Sequence, residues 1–198
     1  MSDGEQLSWF EPIEYRDCFD YLASEKFSER IKQSVGGDEY YTPLKCVNMI
    51  VPYIMKSGYK SIWCPFDTEE SNFVKVFQKL GFQVNYGHIF TGQDFFDYKE
   101  PQADIVVSNP PFSKREDILR RLYQWDEPFA LIMNFNGLFD SKKRHEMFQN
   151  HGVQMLVPKG RMKFVHNEKG ELNAPNFQSV YVCHKLLDSQ IVFDNSEF

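Results

Sequence analysis

The chain has 198 residues, 42% of them hydrophobic and 25% charged: enough apolar matter for one sizeable core, and too little charge for global disorder. Its net charge of −6 argues against a broad, non-specific grip on nucleic acid but leaves room for a local basic face. There is no apolar run of about 18 residues, no apolar signal stretch in the acidic opening MSDGEQLSWFEPIEYRD, and no CxxC pair among Cys18, Cys46, Cys64 and Cys183, so we expect a cytoplasmic protein with reduced thiols and no membrane partner.

Residues 1–14 read as a draped leader, and residues 16–35 as a helix with Phe19, Leu22, Ala23, Phe27 and Ile31 on one face, ended by Gly36-Gly37. Residues 1–37 are thus expected to form a leader and helix, and residues 38–198 one domain. Thr42-Pro43 starts the next helix, with Thr42 as cap and Pro43 in the first turn, and Pro52 should kink or split it. Then strands and helices alternate. SIWC (61–64) is a strand, 70–80 a helix, FQVNY (82–86) a strand and DIVVS (104–108) a short apolar strand. Ser113 to Glu116 reads as a capping box opening a helix with Ile118, Leu119, Leu122 and Tyr123 inward. A strand over 129–135, a helix over 138–150 and a strand over 152–157 follow. Strands over 179–187 and 191–193 close the chain without a helix between them, which predicts an antiparallel hairpin at or near an edge of the sheet. This rhythm predicts an α/β, Rossmann-like fold with a mostly parallel sheet and helices on both faces. Such sheets bind ligands at the carboxyl ends of their strands, which directs attention to the turns after Cys64, Tyr86 and Ser108.

The sharpest signal is Asn109-Pro110-Pro111-Phe112, between an apolar strand and a helix. Two prolines remove two backbone donors and fix two φ angles, so the segment is stiff. The Asn109 amide oxygen and the Pro110 carbonyl can together accept the two hydrogens of an amino group, and Phe112 offers a flat apolar face beside them. The pattern suits a planar group that carries NH2.

This motif resembles the catalytic motif of S-adenosylmethionine-dependent amino-group methyltransferases, among them the DNA adenine-N6 methyltransferases. The wider stretch from Tyr40 to Phe112 is similar to small adenine methyltransferase-like proteins of bacterial viruses and prophages. The resemblance implies a methyltransferase fold, S-adenosyl-L-methionine as cofactor, and methyl transfer to adenine in DNA flipped into the pocket of Asn109, Pro110, Pro111 and Phe112. It also implies that Tyr41-Thr42-Pro43 covers the cofactor's methionine end, and that Asp94 and Phe95 meet its adenine. Cys64-Pro65-Phe66-Asp67 occupies the turn where the family has an acidic-Pro-Phe start and then a glycine-rich stretch. Here Pro65-Phe66 is present and Thr68 to Asn72 replaces the glycines. Asp67 could meet the cofactor's ammonium group, and it reads equally well as a helix cap. The motif also serves methyltransferases acting on glutamine amides in proteins. RNA adenine, and a non-catalytic binding protein, are the other readings.

No GxSxG, HExxH or phosphate-loop pattern is present, and His88, His145, His151, His166 and His184 lack metal-ligand spacing. For target contact the segment 158–177 stands out. It has four cations, Lys159, Arg161, Lys163 and Lys169, to two acids, Glu168 and Glu171, with Phe164 and Phe177 interleaved. Arg161 and Lys163 are the expected substrate contacts. Lys142, Lys143 and Arg144 form a second basic cluster. Either group also reads as an ordinary solvated surface.

Overall fold

A computed structural model describes residues 40–166, 172–173 and 177–197. The leader, the helix expected over 16–35 and the boundary near residue 37 lie outside the described residues, as does part of the 158–177 segment. The elements run β1 (Tyr40–Tyr41), α1 (Leu44–Ser57), β2 (Ser61–Cys64), α2 (Asn72–Lys79), β3 (Gln83–Tyr86), β4 (Ile105–Ser108), α3 (Arg115–Trp125) and β5 (Phe129–Asn134). They continue with α4 (Lys142–His151), β6 (Gln154–Lys159), β7 (Phe164–His166), β8 (Leu172–Asn173), β9 (Ser179–His184) and β10 (Ile191–Glu197).

Seven strands form the main sheet in the order β10-β6-β9-β5-β4-β2-β3. β2 pairs in parallel with β3 and β4, β4 with β5, and β6 with β10; β9 is antiparallel to both β5 and β6. The fold is therefore the expected α/β, Rossmann-like one, but the expected hairpin is corrected: β9 and β10 run in opposite directions without pairing, because β6 lies between them and takes up the bonding edge of each. A small antiparallel sheet, β1-β7-β8, sets Val165–His166 against Tyr40–Tyr41 and Phe164–Val165 against Leu172–Asn173.

Side chains alternate across a strand, so each inner strand feeds two cores. Ile62, Cys64, Ile105, Val107, Ala130, Ile132, Tyr181 and Cys183 face one side, packing with Val47, Ile50 and Ile54 of α1 and Phe73 and Phe77 of α2. Trp63, Val106, Phe129, Leu131, Met133, Val180 and Val182 face the other, with Ile118, Leu119 and Leu122 of α3 and Phe148 of α4. β4 and β9 are buried at every position, which is why they read as near-continuous apolar runs.

Three local expectations are corrected. Thr42 does not cap α1. Pro43 is the cap residue, in extended conformation, and its carbonyl accepts from Cys46 N at 3.0 Å and Val47 N at 3.2 Å. Pro52 does not split α1, which runs through it. The acceptor that Pro52 leaves without its helical donor is the Asn48 carbonyl, and both residues are exposed, where water can replace the bond. The capping box at Ser113 does not form: a 3-10 turn over Phe112–Lys114 leads into α3, whose cap residue Lys114 makes no side-chain cap bond. Glu116 turns instead to Ser141 and Arg144.

Trp63, 1% exposed, is ringed by Tyr98 at 5.0 Å, Phe95 at 5.6 Å and Trp125 at 6.2 Å. Trp63→Ala should cost about 3–5 kcal/mol of stability, read from the urea midpoint at unchanged slope.

Candidate active site

The turns after β2, β3 and β4 meet at one edge of the sheet. β2 is short and ends at Cys64, whose carbonyl accepts from Gly87 N at 3.2 Å; the Gly87 carbonyl in turn accepts from Asp67 N at 3.0 Å. The two turns are thereby locked together. A side chain at position 87 would press on Gln93 at 3.2 Å, so this close approach favours glycine. Asp67 is 8% exposed, and its carboxylate accepts a hydrogen bond from Ser108, the last residue of β4. Ser71 adds a second bond and also caps α2, its hydroxyl facing Val74 N. Asp67 is thus not the cap of α2, though it is tied to the residue that is. Burial pushes the Asp67 carboxyl up to about 6, against the lowering effect of the Ser108 and Ser71 hydrogen bonds. No cation pairs with it among the described residues.

Asn109 continues directly from Ser108, and its Oδ1 is buried. Pro110 is buried, Pro111 is extended (φ −61, ψ 123), and Phe112 opens the 3-10 turn. Lys114 N donates to the Pro111 carbonyl and Arg115 N to the Phe112 carbonyl. The Pro110 carbonyl stays outside the hydrogen bonds of that turn. The Phe112 ring meets Phe177 edge to face at 5.6 Å, a contact that occupies at most one of its two faces. Asn109 and Asp67 hence sit on either side of one serine, although 41 residues separate Ser108 from Asp67 in the chain.

The Gly92–Phe96 segment turns back beside Phe66. Asp94 caps a 3-10 turn over Phe95–Asp97, its Oδ1 accepting from Phe96 N at 2.8 Å. Phe95 is 2% exposed and packs on Phe66 at 5.1 Å, on Trp63 and on Trp125, so its ring serves the core and fixes the Asp94 turn. Phe90 (59% exposed) and Ile89 (62%) are the apolar side chains that reach solvent at this end of β3. His88 caps their turn, its Nδ1 accepting from Phe90 N at 3.2 Å, and burial lowers its pKa.

Sequence reasoning passed over two braces. Arg121 of α3 donates to the carbonyls of Phe95 and Tyr98 at 3.2 and 3.1 Å, and to that of Phe96, with its guanidinium over the Phe96 and Trp125 rings. The helix that follows Phe112 thereby grips the Asp94 turn. Ser108 is the second, hidden in the sequence as the polar end of an apolar strand. At the opposite rim the Thr42 carbonyl accepts from Asn72 Nδ2 at 2.8 Å, which brings the Tyr41-Thr42-Pro43 segment to the start of α2. Pro65 is buried and Phe66 half-buried. Arg161 and Lys163 are exposed on either side of buried Met162, which with Phe164 anchors the segment in the core. Arg144, expected in a basic surface cluster, is 7% exposed and structural.

No family model matches the chain. No curated protein matches it either. Among solved structures it resembles a type I restriction-modification system methyltransferase subunit from Streptococcus thermophilus, 12% identical, with a TM-score of 0.48, over 84% of this chain and 49% of that one. It also resembles a protein described as a modification subunit of a type I restriction enzyme from Vibrio vulnificus YJ016, 11% identical, with a TM-score of 0.45, over 96% of this chain and 56% of that one. The chain spans about half the length of these two structures.

The Asp67 geometry sets a titration. Its pKa is raised on folding, so its contribution to stability is full below the unfolded value near 3.8 and is lost as pH rises through about 6. Asp67→Asn should therefore gain on wild type between pH 4 and pH 7, read from urea unfolding at both values. Ser108→Ala removes a donor that favours the ionised form, and should move the Asp67 carboxyl titration, followed by carbon-13 NMR, still higher.

Proposed function

We propose that this protein transfers a methyl group from S-adenosylmethionine to the exocyclic amine of adenine in DNA. The observation that carries the reading is the placement of Asn109-Pro110-Pro111-Phe112 at the carboxyl end of β4, one residue from the Ser108 bond to buried Asp67. A buried acid that pairs with no cation among the described residues and a stiff acceptor turn for an amine meet there. These residues suit the cofactor: a carboxylate for its ammonium group at Asp67, and a second carboxylate at Asp94, which has one oxygen beyond the bond to Phe96 N, for its adenine amine. Ile89 and Phe90 would cover the purine, with Pro65 and Phe66 below the turn and Tyr41-Thr42-Pro43 over the methionine end.

When bound, the cofactor supplies a methyl group on positively charged sulfur, whose carbon–sulfur bond breaks as the carbon–nitrogen bond forms. The chain's own part is placement and electrostatics. The Asn109 oxygen and the Pro110 carbonyl accept the two amine hydrogens and hold the nitrogen lone pair towards the cofactor. Neither is a base, so the amine proton leaves to water after transfer. A base stacked inside a duplex cannot reach this turn and is flipped out, at a cost of a few kcal/mol. Stacking on the Phe112 ring offsets about 1–3 kcal/mol of that. Arg161 and Lys163 would neutralise phosphates near the pocket.

Two outcomes test the reading. Asn109→Ala should lower methyl transfer by roughly 100-fold or more while cofactor affinity by calorimetry changes little, the loss expected for one preorganised polar contact. Turnover near wild type would remove Asn109 from the reaction. A cationic ligand favours ionised Asp67, so cofactor affinity should rise as pH passes through about 6, with proton release on binding in the pH range below it. Calorimetry in buffers of different ionisation enthalpy reads that proton directly.

A further inference from the structure

The loop between β5 and α4 carries two exposed aromatic rings, Phe135 (41% exposed) and Phe139 (45%), in contact with each other at 6.0 Å. Exposed phenylalanine has no polar tip to satisfy, and two on one short loop are a cost that a merely connecting loop avoids. The loop is also held with unusual care. Asn134 Oδ1 accepts from Asn136 N at 2.8 Å, and Leu138 N donates to the Phe135 carbonyl at 3.1 Å. Arg144 Nε and Nη2 donate to the Leu138 and Gly137 carbonyls, each at 2.8 Å. Arg115 Nη1 donates to the Asn136 carbonyl at 3.2 Å. Gly137 has φ +68, and a side chain there would meet Asp140 at 3.2 Å and Arg115 at 3.4 Å. Leu138 is the buried plug beneath. The rings are therefore preorganised in water.

Their position connects them to the amine-binding turn. Phe135 N donates to the Gln178 carbonyl at 2.8 Å, one residue from Phe177, whose ring meets Phe112. Arg115 follows the Phe112 turn directly and reaches across to the loop. Exposed Lys114, Lys142 and Lys143, with half-exposed Arg115, flank the rings. Among the described residues, the acids on the elements that carry these cations next to the loop are Glu116, Asp140 and, one turn along α4 from Lys142, exposed Glu146. Glu116 already serves Arg144 at 3.1 Å and Lys143 at 3.6 Å, and the Ser141 hydroxyl, first among its partners, holds its pKa low. In a chain of net charge −6, this is a local cationic rim around apolar rings.

The geometry points to the loop over residues 135–141 as the surface that receives the nucleic-acid strand beside the target base, with Phe135 and Phe139 stacking on bases and Lys142 and Lys143 contacting phosphates. This rests on the proposed reading of the neighbouring turn and names which part of the chain holds its substrate. Rings with flanking cations are what an unpaired strand requires, since every base offers a π-face and every nucleotide a phosphate.

The probe is a fluorescein-labelled, mixed-sequence single-stranded DNA 30-mer, with binding to the full chain read by anisotropy across a salt series. Phe135→Ala with Phe139→Ala should weaken binding roughly tenfold or more, whereas the two Tyr variants should stay near wild type. Lys142→Ala with Lys143→Ala should flatten the log–log salt slope by about 1.4. Cofactor affinity should hold in every variant, which also shows that each is folded. Wild-type affinity in the ring variant, or an unchanged slope in the lysine variant, overturns the surface. If wild type methylates DNA while the ring variant binds equally well, the surface alone falls. If wild type neither binds nor methylates nucleic acid, the surface and the reading beneath it fall together.

Discussion

One buried hydrogen bond, from the Ser108 hydroxyl to the Asp67 carboxylate, holds the two halves of the site in register. It joins the end of β4 to the turn after β2, neighbouring strands of the parallel sheet. Without the donor, a carboxylate 8% exposed would lose part of its solvation substitute, and leaving such a group unsatisfied costs more than the bond itself contributes. The rest follows from that anchor. Asp67 N to the Gly87 carbonyl, and Gly87 N to the Cys64 carbonyl, draw in the turn after β3. Ser71 brings in the start of α2, and Asn72 the Thr42 carbonyl. The turn after β2 is thus held by side-chain hydroxyls and by one glycine in the turn after β3.

Arginine does structural work in this acidic chain. Arg121 spends its guanidinium on three carbonyls of the Asp94 turn, and Arg144 on two carbonyls of the loop after β5 and on Glu116. Both lie on helices that follow a strand end: Arg121 braces the loop that precedes β4, and Arg144 the loop that leads into its own helix. Planar guanidinium suits this because several donors diverge from one rigid group.

The alternation of strand and helix was legible because β4 and β9 are buried on both faces and so read as unbroken apolar runs, while α2 shows Phe73, Val74 and Phe77 on one side. The Asn109 to Phe112 turn was legible because consecutive prolines after an apolar strand leave few conformations. Local rules failed where tertiary contacts outbid them. Glu116 left the capping box for Ser141 and Arg144, partners more than 20 residues away. Phe95, beside an acid in a ligand-like motif, went to the core because Trp63 and Trp125 offered it more buried contact than a turn could. Ser108 could not be found from its neighbours, because its role appears only when β2 and β4 stand side by side. The same holds for Phe135 and Phe139, which no periodicity separates from core aromatics.

If the Asn109 turn and the Asp67 turn act together on an adenine amine in DNA, one reaction shows it. The direct measurement supplies the full chain with S-adenosylmethionine labelled in its methyl group and offers single-stranded DNA, duplex DNA, RNA and a protein extract in separate reactions. Label should then enter DNA and be recovered after hydrolysis as N6-methyladenine. Label recovered only in protein or RNA, or none in any pool at saturating cofactor, would contradict it.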